Sequence, residues 1–148
     1  IFKQRRYGFD GREIPVYKFR SMRVQDDGPV VKQATKDDPR ITRVGRFIRR
    51  TSIDELPQLI NVLLGDMSLV GPRPDVPAQR SLYSEADWAL RCSVRPGITG
   101  LAQALYRSDA QGTQRLDADL RYAREHSLWL DARIIWWTLG RLSGQGAN

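Results

Sequence analysis

The stretch Arg49-Arg50-Thr51-Ser52-Ile53-Asp54-Glu55-Leu56-Pro57-Gln58 constrains this chain most, because within it one basic helix must end and a more apolar one begin. Upstream, Ile41, Val44, Phe47 and Ile48 recur at helical spacing, while Arg40, Arg43, Arg46 and Arg49 occupy another face. Asp38 as N-cap and Pro39 at the first helical position predict where that helix starts. None of the four arginines has an acidic residue at i+4, so this face lacks intrahelical pairing and favours an external anion. Downstream, Leu56, Leu59, Ile60, Leu63 and Leu64 form a second stripe that should stop near Gly65-Asp66.

Two starts are open for the second helix. Ser52 with Glu55 reads as a capping box, which makes Glu55 structural but leaves Pro57 against the carbonyl of Ile53. Asp54 as N-cap instead brings Pro57 into the first turn at little cost. Either register sets two adjacent carboxylates near exposed backbone N–H groups, directly behind a run of arginines. A carboxylate, a cation-binding neighbour and an anion cradle are the parts of a phosphoryl-transfer site.

The hairpin signal lies at the start. Gln4 to Tyr7 and Ile14 to Phe19 flank Gly8-Phe9-Asp10-Gly11, and Asp-Gly tolerates the positive φ that a tight turn demands. Alternation along the second strand puts Lys18 and Arg20 on one face and Phe19 on the other. Asp26 to Lys36 reads as a polar loop. Met67 to Val70 is a short apolar stretch, followed by Gly71-Pro72-Arg73-Pro74, a rigid turn that displays Arg73 between two fixed φ angles. Arg80 to Cys92 has weak helical character. Arg95-Pro96-Gly97-Ile98-Thr99-Gly100 is a glycine-flanked turn without Walker spacing. Helices are expected over Gln114 to Glu125 and Leu128 to Leu142, the latter carrying Trp129, Trp136 and Trp137 with Arg133 and Arg141, a mixture that suits a core or a lipid interface. The fold class expected is α+β, a mostly helical single domain over residues 1–142 with a small N-terminal β-hairpin and a tail over residues 143–148.

Composition narrows the chemistry. With 24 Lys and Arg against 17 Asp and Glu, the chain carries a formal +7, so its partner is anionic: nucleic acid, acidic lipid or a phosphorylated substrate. One cysteine, Cys92, excludes an internal disulfide, and one histidine, His126, argues against a His-rich metal site. No apolar run reaches the roughly 18 to 20 residues that span a bilayer. The start at Ile1, without methionine and straight into strand-like sequence, suggests a piece of something longer.

In order along the chain stand Lys18-Phe19-Arg20-Ser21-Met22, Asp38-Pro39-Arg40-Ile41-Thr42, Ser52-Ile53-Asp54-Glu55-Leu56-Pro57-Gln58, Gly71-Pro72-Arg73-Pro74 and Arg95-Pro96-Gly97-Ile98-Thr99-Gly100. Together they resemble the bacterial sugar transferases, the monotopic polyprenyl-phosphate phosphoglycosyl transferases, over nearly the whole chain. The resemblance implies transfer of a sugar 1-phosphate from a UDP-sugar, with a lean to a hexose such as glucose or galactose, to undecaprenyl phosphate with release of UMP. It implies the first membrane step of exopolysaccharide, capsule or O-antigen synthesis, at the cytoplasmic face of the inner membrane. Asp54 would be the nucleophile and Glu55 its partner and Mg²⁺ ligand. Arg49, Arg73, Pro72 and Pro74 would hold phosphates and nucleotide, with Lys18, Arg20 and Arg95 as further anion contacts. Family members carry a hydrophobic re-entrant segment ahead of the hairpin, so the resemblance also implies a catalytic portion cut near Ile1, soluble or peripheral by itself.

Physical chemistry agrees with these roles. An aspartate of reference pKa about 3.9 at a cationic helix start is expected to be ionised at neutral pH and to need no general base. Mg²⁺ takes hard oxygens, here one carboxylate and substrate phosphates. Two other classes compete: a basic nucleic-acid-binding domain and a non-catalytic membrane-surface module. The first meets repulsion from Asp54 and Glu55, so no specific nucleic acid is expected, and neither explains the ordered motifs. No pattern specifies an oligomeric state.

Overall fold

The computed structural model describes residues 1–23, 37–106 and 112–144. The expected hairpin forms from β1 (Phe2–Tyr7) and β2 (Glu13–Lys18), antiparallel with Phe2 opposite Lys18 and Tyr7 opposite Glu13. Its turn uses Asp10 and Gly11 at φ 60° and 71°, the left-handed conformation that this residue pair accepts. The loop predicted over Asp26 to Lys36 lies outside the described residues.

The arginine helix α1 (Arg43–Arg50) starts later than its proline suggested. Asp38 accepts from the backbone N–H of Arg40 at 2.9 Å and pairs with its guanidinium at 2.8 Å, so Asp38-Pro39-Arg40 closes a turn rather than capping a helix. Thr42 is the N-cap, its hydroxyl accepting from the N–H of Gly45 at 2.8 Å. Arg40 therefore leaves the arginine stripe and is ion-paired, while Arg43, Arg46 and Arg49 remain. Gly45 is the buried residue of α1, because a Cβ there would lie 1.9 Å from the carbonyl oxygen of Ser21. Val44 and Phe47 consequently face outward, at 71% and 51% exposure.

Neither register expected for the second helix occurs. Ser52 sits at φ 59° without capping through its side chain, Ile53–Glu55 forms one turn of 3₁₀ helix, and α2 (Gln58–Leu63) begins only after Pro57. Pro57 disfavours the Ser52 register, and the Asp54 carbonyl, which as N-cap would accept the first helical N–H, accepts from Phe19 instead at 2.9 Å. Polar residues of α2 face inward: the buried Asn61 side chain accepts from the N–H of Tyr17 at 3.1 Å and donates to the carbonyl of Pro15 at 2.6 Å. That side-chain amide acts as a peptide unit laid against β2, and it turns Leu59, Leu63 and Leu64 outward.

A second β element was not anticipated. β3 (Ser68–Val70) pairs in parallel with β4 (Gly97–Thr99), Ser68 opposite Gly97 and Val70 opposite Thr99. Between them lies α3 (Glu85–Arg91), with Trp88 packed edge-on against Tyr7 at 5.1 Å between ring centroids. The remaining chain forms α4 (Leu101–Tyr106), α5 (Gly112–Glu125) and α6 (Leu128–Gly144). The last helix runs two residues past Leu142, so Ser143 and Gly144 belong to it rather than to a tail.

Two apolar clusters result. Ile14, Val16 and Met67 pack under the hairpin, and Val70, Leu101, Ala118, Tyr122 and Ile134 pack among β3, α4, α5 and α6. Tyr122 ties the second together, donating to Asp131 at 2.7 Å, with the Val70 carbonyl 3.3 Å from its hydroxyl. Cys92 is buried and His126 ends α5, its Nδ1 3.0 Å from the Ala123 carbonyl. Neither takes part in the site described below.

Candidate functional site

The two carboxylates meet the hairpin through the backbone. Immediately after Lys18, the N–H of Phe19 donates to the Asp54 carbonyl at 2.9 Å, which fixes the end of β2 against the 3₁₀ turn. Lys18 Nζ then lies 4.0 Å from Glu55 Oε1, and from the opposite side Arg73 Nη1 lies 3.3 Å from the same oxygen. Asp54 is 9% exposed, and among the described residues its carboxylate has neither a hydrogen bond nor an ion pair.

Arg73 stands on a turn gripped from behind. Gly71 donates to Thr99, and Gly97 donates to Pro72, each at 2.9 Å, and a Cβ at Gly71 would sit 2.2 Å from the Arg95 carbonyl. The prolines on either side of Arg73 have no N–H to give, and side chains hold the carbonyls of Arg73 and Pro74. Arg6 Nη1 donates to Pro74 at 2.7 Å, and Arg91 Nη2 donates to the Arg73 carbonyl. Arg91 is itself buried, ion-paired with Asp75 at 2.9 Å and with Asp119 at 3.2 Å, and Asp75 also receives Arg115 at 2.8 Å. Ion pairs as deeply buried as these fix geometry at a desolvation cost, which suits a turn that must present one guanidinium accurately.

Arg6 also holds Gln4, through Nε at 3.1 Å and Nη2 at 2.6 Å, and so lies fixed beside the pair. Arg6, Lys18, Gln58, Arg73 and Pro74 line one narrow crevice together with Val16, Gly97 and Ile98.

Charge follows from this packing. Burial works against ionised Glu55, but Arg73, Lys18 and Arg6 outweigh it and hold its pKa below the usual glutamate value. Asp54 moves the other way. Burial, then the neighbouring Glu55 charge, push its pKa up against the pull of Lys18, Arg49 and Arg73. Burial, then Arg73 and Arg6, lower Lys18 to about 7, and burial with Arg73 lowers Arg6 to about 9. The arrangement is an under-solvated, unpaired carboxylate beside a second carboxylate neutralised by cations. The first can attack phosphorus, and the second can hold a cation or a substrate in place.

Of the residues predicted from sequence, the structure brings together Asp54, Glu55, Lys18, Arg73 and Pro74. Pro72 supports the turn through its carbonyl. Arg49 is exposed at the end of α1, with Nη1 3.7 Å from Met22 Sδ, and acts on Asp54 only through its charge. Arg20 departs from expectation: β2 stops at Lys18, so the alternation ends there, and the Arg20 guanidinium lies over the Phe2 ring at 5.8 Å. Arg95 is exposed and no contact with either carboxylate is present among the described residues; its carbonyl packs on Gly71. Sequence reasoning missed Arg6, Gln58 and Arg91. For Arg6 a signal existed, since the period of two in β1 puts Gln4 and Arg6 on one face, and an inward amide and guanidinium need partners.

Among the described residues no group of three or more His, Cys, Asp and Glu forms a metal cage. Mg²⁺ normally takes only one or two carboxylates and completes its shell with water and substrate phosphates, and Glu55 is a carboxylate that fits that part.

Comparison with known proteins places these features. The family model described as "Bacterial sugar transferase" matches residues 1–145. The chain is 50% identical over 146 residues to the UDP-glucose:undecaprenyl-phosphate glucose-1-phosphate transferase of Escherichia coli K12, covering 94% of this chain and 32% of the relative. The protein of that name from Xanthomonas campestris pv. campestris is 50% identical over 153 residues, 98% of this chain and 32% of the relative. A UDP-N-acetylgalactosamine-undecaprenyl-phosphate N-acetylgalactosaminephosphotransferase from Aeromonas hydrophila is 43% identical over 157 residues, 100% of this chain and 36% of the relative. The chain thus spans about a third of the length of these relatives.

Proposed function

The chain belongs to the bacterial sugar transferase family, and from that membership we propose that it is the catalytic part of a phosphoglycosyl transferase. Its donor is a UDP-sugar, a hexose derivative, and its acceptor is undecaprenyl phosphate at the cytoplasmic face of the inner membrane. The product is the lipid diphosphate sugar that begins exopolysaccharide, capsule or O-antigen synthesis. The observation that carries the reading is the buried Asp54 carboxylate, unpaired among the described residues and adjacent to Glu55, which Arg73 and Lys18 hold.

In the first step an Asp54 oxygen attacks the phosphorus that bears the sugar. The bond from that phosphorus to the bridging oxygen breaks, UMP leaves with the electron pair, and the phosphosugar remains as a mixed anhydride on Asp54. In the second, a phosphate oxygen of the lipid attacks the same phosphorus and the bond to Asp54 breaks, restoring the carboxylate. Arg73 and Lys18 stabilise negative charge as it moves onto the leaving phosphate. Burial strips water from Asp54 and favours attack over hydrolysis. Mg²⁺, held by Glu55 and the diphosphate, would neutralise phosphate charge when bound.

The expected consequence is that Asp54→Asn in the full-length protein lowers UMP release from the UDP-sugar by about a thousandfold or more with folding intact. Turnover within about twofold of wild type would remove Asp54 from the role of nucleophile. A panel of UDP-sugars in the same assay identifies the hexose.

A further inference from the structure

Four charged side chains of alternating sign stand in a row behind the Arg73 turn: Arg115, Asp75, Arg91 and Asp119. Arg115 and Asp119 lie four residues apart on α5, a spacing at which opposite charges can pair with each other. Here they reach off the helix instead, Arg115 to Asp75 at 2.8 Å and Asp119 to Arg91 at 3.2 Å, and Arg91 closes the row on Asp75 at 2.9 Å. Asp75, Arg91 and Asp119 are 0%, 4% and 3% exposed. The contact of Arg91 with Asp75 is ionic only, since Asp75 Oδ2 receives no hydrogen bond among the described residues. Apolar side chains would pack α3 on α5 as well or better, because a buried ion row carries its desolvation cost permanently.

The row ends on the backbone that presents Arg73. Arg91 Nη2 donates to the Arg73 carbonyl, Nη1 meets Asp75 two residues on, and Nε meets Asp119. The Tyr83 ring lies 5.4 Å from the same guanidinium, so its three nitrogens are engaged and its place is fixed from one side as well. Residues 72–76 form neither helix nor strand. Among the described residues no backbone N–H reaches the Arg73 carbonyl, and Arg91 is its donor. Arg73 Nη1 must still lie 3.3 Å from Glu55, a contact that a shift of about 1 Å in the turn would break.

We propose that Arg91 is a positioning residue: aligned by Asp75 and Asp119, it sets the Arg73 backbone so that the Arg73 guanidinium meets Glu55 and the leaving phosphate. The assignment rests on the reading of this site as that of a phosphoglycosyl transferase.

The test is a double-mutant cycle in the full-length protein, Arg91→Lys against Arg73→Ala, read as UMP release per folded molecule across pH. Lysine keeps the charge, but one ammonium cannot meet two carboxylates and the Arg73 carbonyl as the guanidinium fork does. Arg91→Lys alone lowers UMP release about tenfold to a hundredfold. Its acid limb moves to higher pH, because a displaced Arg73 no longer lowers the pKa of Asp54 and Glu55. In the Arg73→Ala background the same substitution changes the rate less than about twofold and leaves the acid limb in place. An equal fall in both backgrounds marks a merely structural ion row and overturns the assignment. A rate within about twofold of wild type in Arg91→Lys overturns it too, as does an acid limb that does not move. If Arg91→Lys shows no cooperative thermal transition, Asp119→Asn takes its place in the cycle under the same criteria, since asparagine keeps an acceptor for Arg91 Nε and removes only the charge. Wild-type protein that releases no UMP from any UDP-sugar rejects the transferase reading itself, whereas active wild type with additive effects rejects only the role of Arg91.

Discussion

At the scale of single residues, the site is governed by two carboxylates one bond apart in sequence and opposite in electrostatic fate. Burial and the Glu55 charge raise the pKa of Asp54, whereas Arg73, Lys18 and Arg6 lower that of Glu55 despite its burial. The acid limb of UMP release therefore lies above the ordinary aspartate value of about 3.9. In Glu55→Gln the activity that remains has its acid limb moved to lower pH, because a charge that disfavoured ionised Asp54 is gone; a pH–rate profile checks this. Lys18 supplies a stability test. Its folded-state pKa of about 7 lies below its ordinary value of 10.5, so above pH 7 the unfolded chain holds a proton that the folded chain has lost. Ligand-free stability should accordingly rise from pH 7 towards pH 9, where Arg6 begins to contribute in the same sense. Lys18→Met flattens the rise, read from denaturation midpoints across that window. A midpoint that falls over the window in wild type contradicts the assignment.

At the scale of elements, the site depends on two joints. Asn61 joins α2 to β2 with two hydrogen bonds in a fully buried position, so Asn61→Ala should cost about 2 to 4 kcal/mol by leaving the Tyr17 N–H and Pro15 carbonyl unpaired, measurable by urea denaturation. Gly71→Ala forces a Cβ into the Arg95 carbonyl and should cost about 1 to 3 kcal/mol while displacing Arg73, so its loss of UDP-sugar turnover exceeds what the fraction unfolded explains. These joints also separate what the sequence reveals from what it hides. The Asp10-Gly11 turn, the dyad and the Gly71 to Pro74 turn are local features whose chemistry is carried by adjacent residues, and they stand out in the sequence. The start of α1 is hidden because Asp38 finds a closer partner in Arg40 than in helix N–H groups. The register of α2 is hidden because the Asp54 carbonyl bonds to the distant Phe19 rather than to the helix, and its inward face because polar residues, Gln58 and Asn61, form it. Three-residue parallel strands such as β3 and β4 are too short to show a period, and their pairing is fixed by Gly71 and Gly97 meeting across a long separation in sequence. Buried guanidinium groups such as Arg91 are indistinguishable in sequence from solvated ones.

At the scale of the whole molecule, a chain of net charge +7 leaves leucines and tryptophans on its surface: Leu63 at 87%, Leu64 at 64%, Trp129 at 74% and Trp136 at 77% exposure, with Arg43, Arg46 and Arg50 exposed on α1. Among the described residues no helix is long and apolar enough to cross a membrane. On the proposed reading these groups meet a lipid surface, so anionic vesicles should shift tryptophan emission to the blue, with a smaller shift at raised salt and none in Trp129→Ala/Trp136→Ala. An equal shift in the double variant would assign the signal to the remaining tryptophans and reject these contacts. The central claim, however, is chemical: that Asp54 carries the phosphosugar. Full-length protein is incubated with its UDP-sugar in the absence of lipid acceptor, quenched in acid, and measured by intact mass and peptide mapping. The account predicts a mass increase equal to one sugar phosphate, confined to the peptide containing Asp54 and discharged when undecaprenyl phosphate is added before quenching. Stoichiometric UMP release with an unchanged protein mass, or an adduct on any other residue, would contradict it.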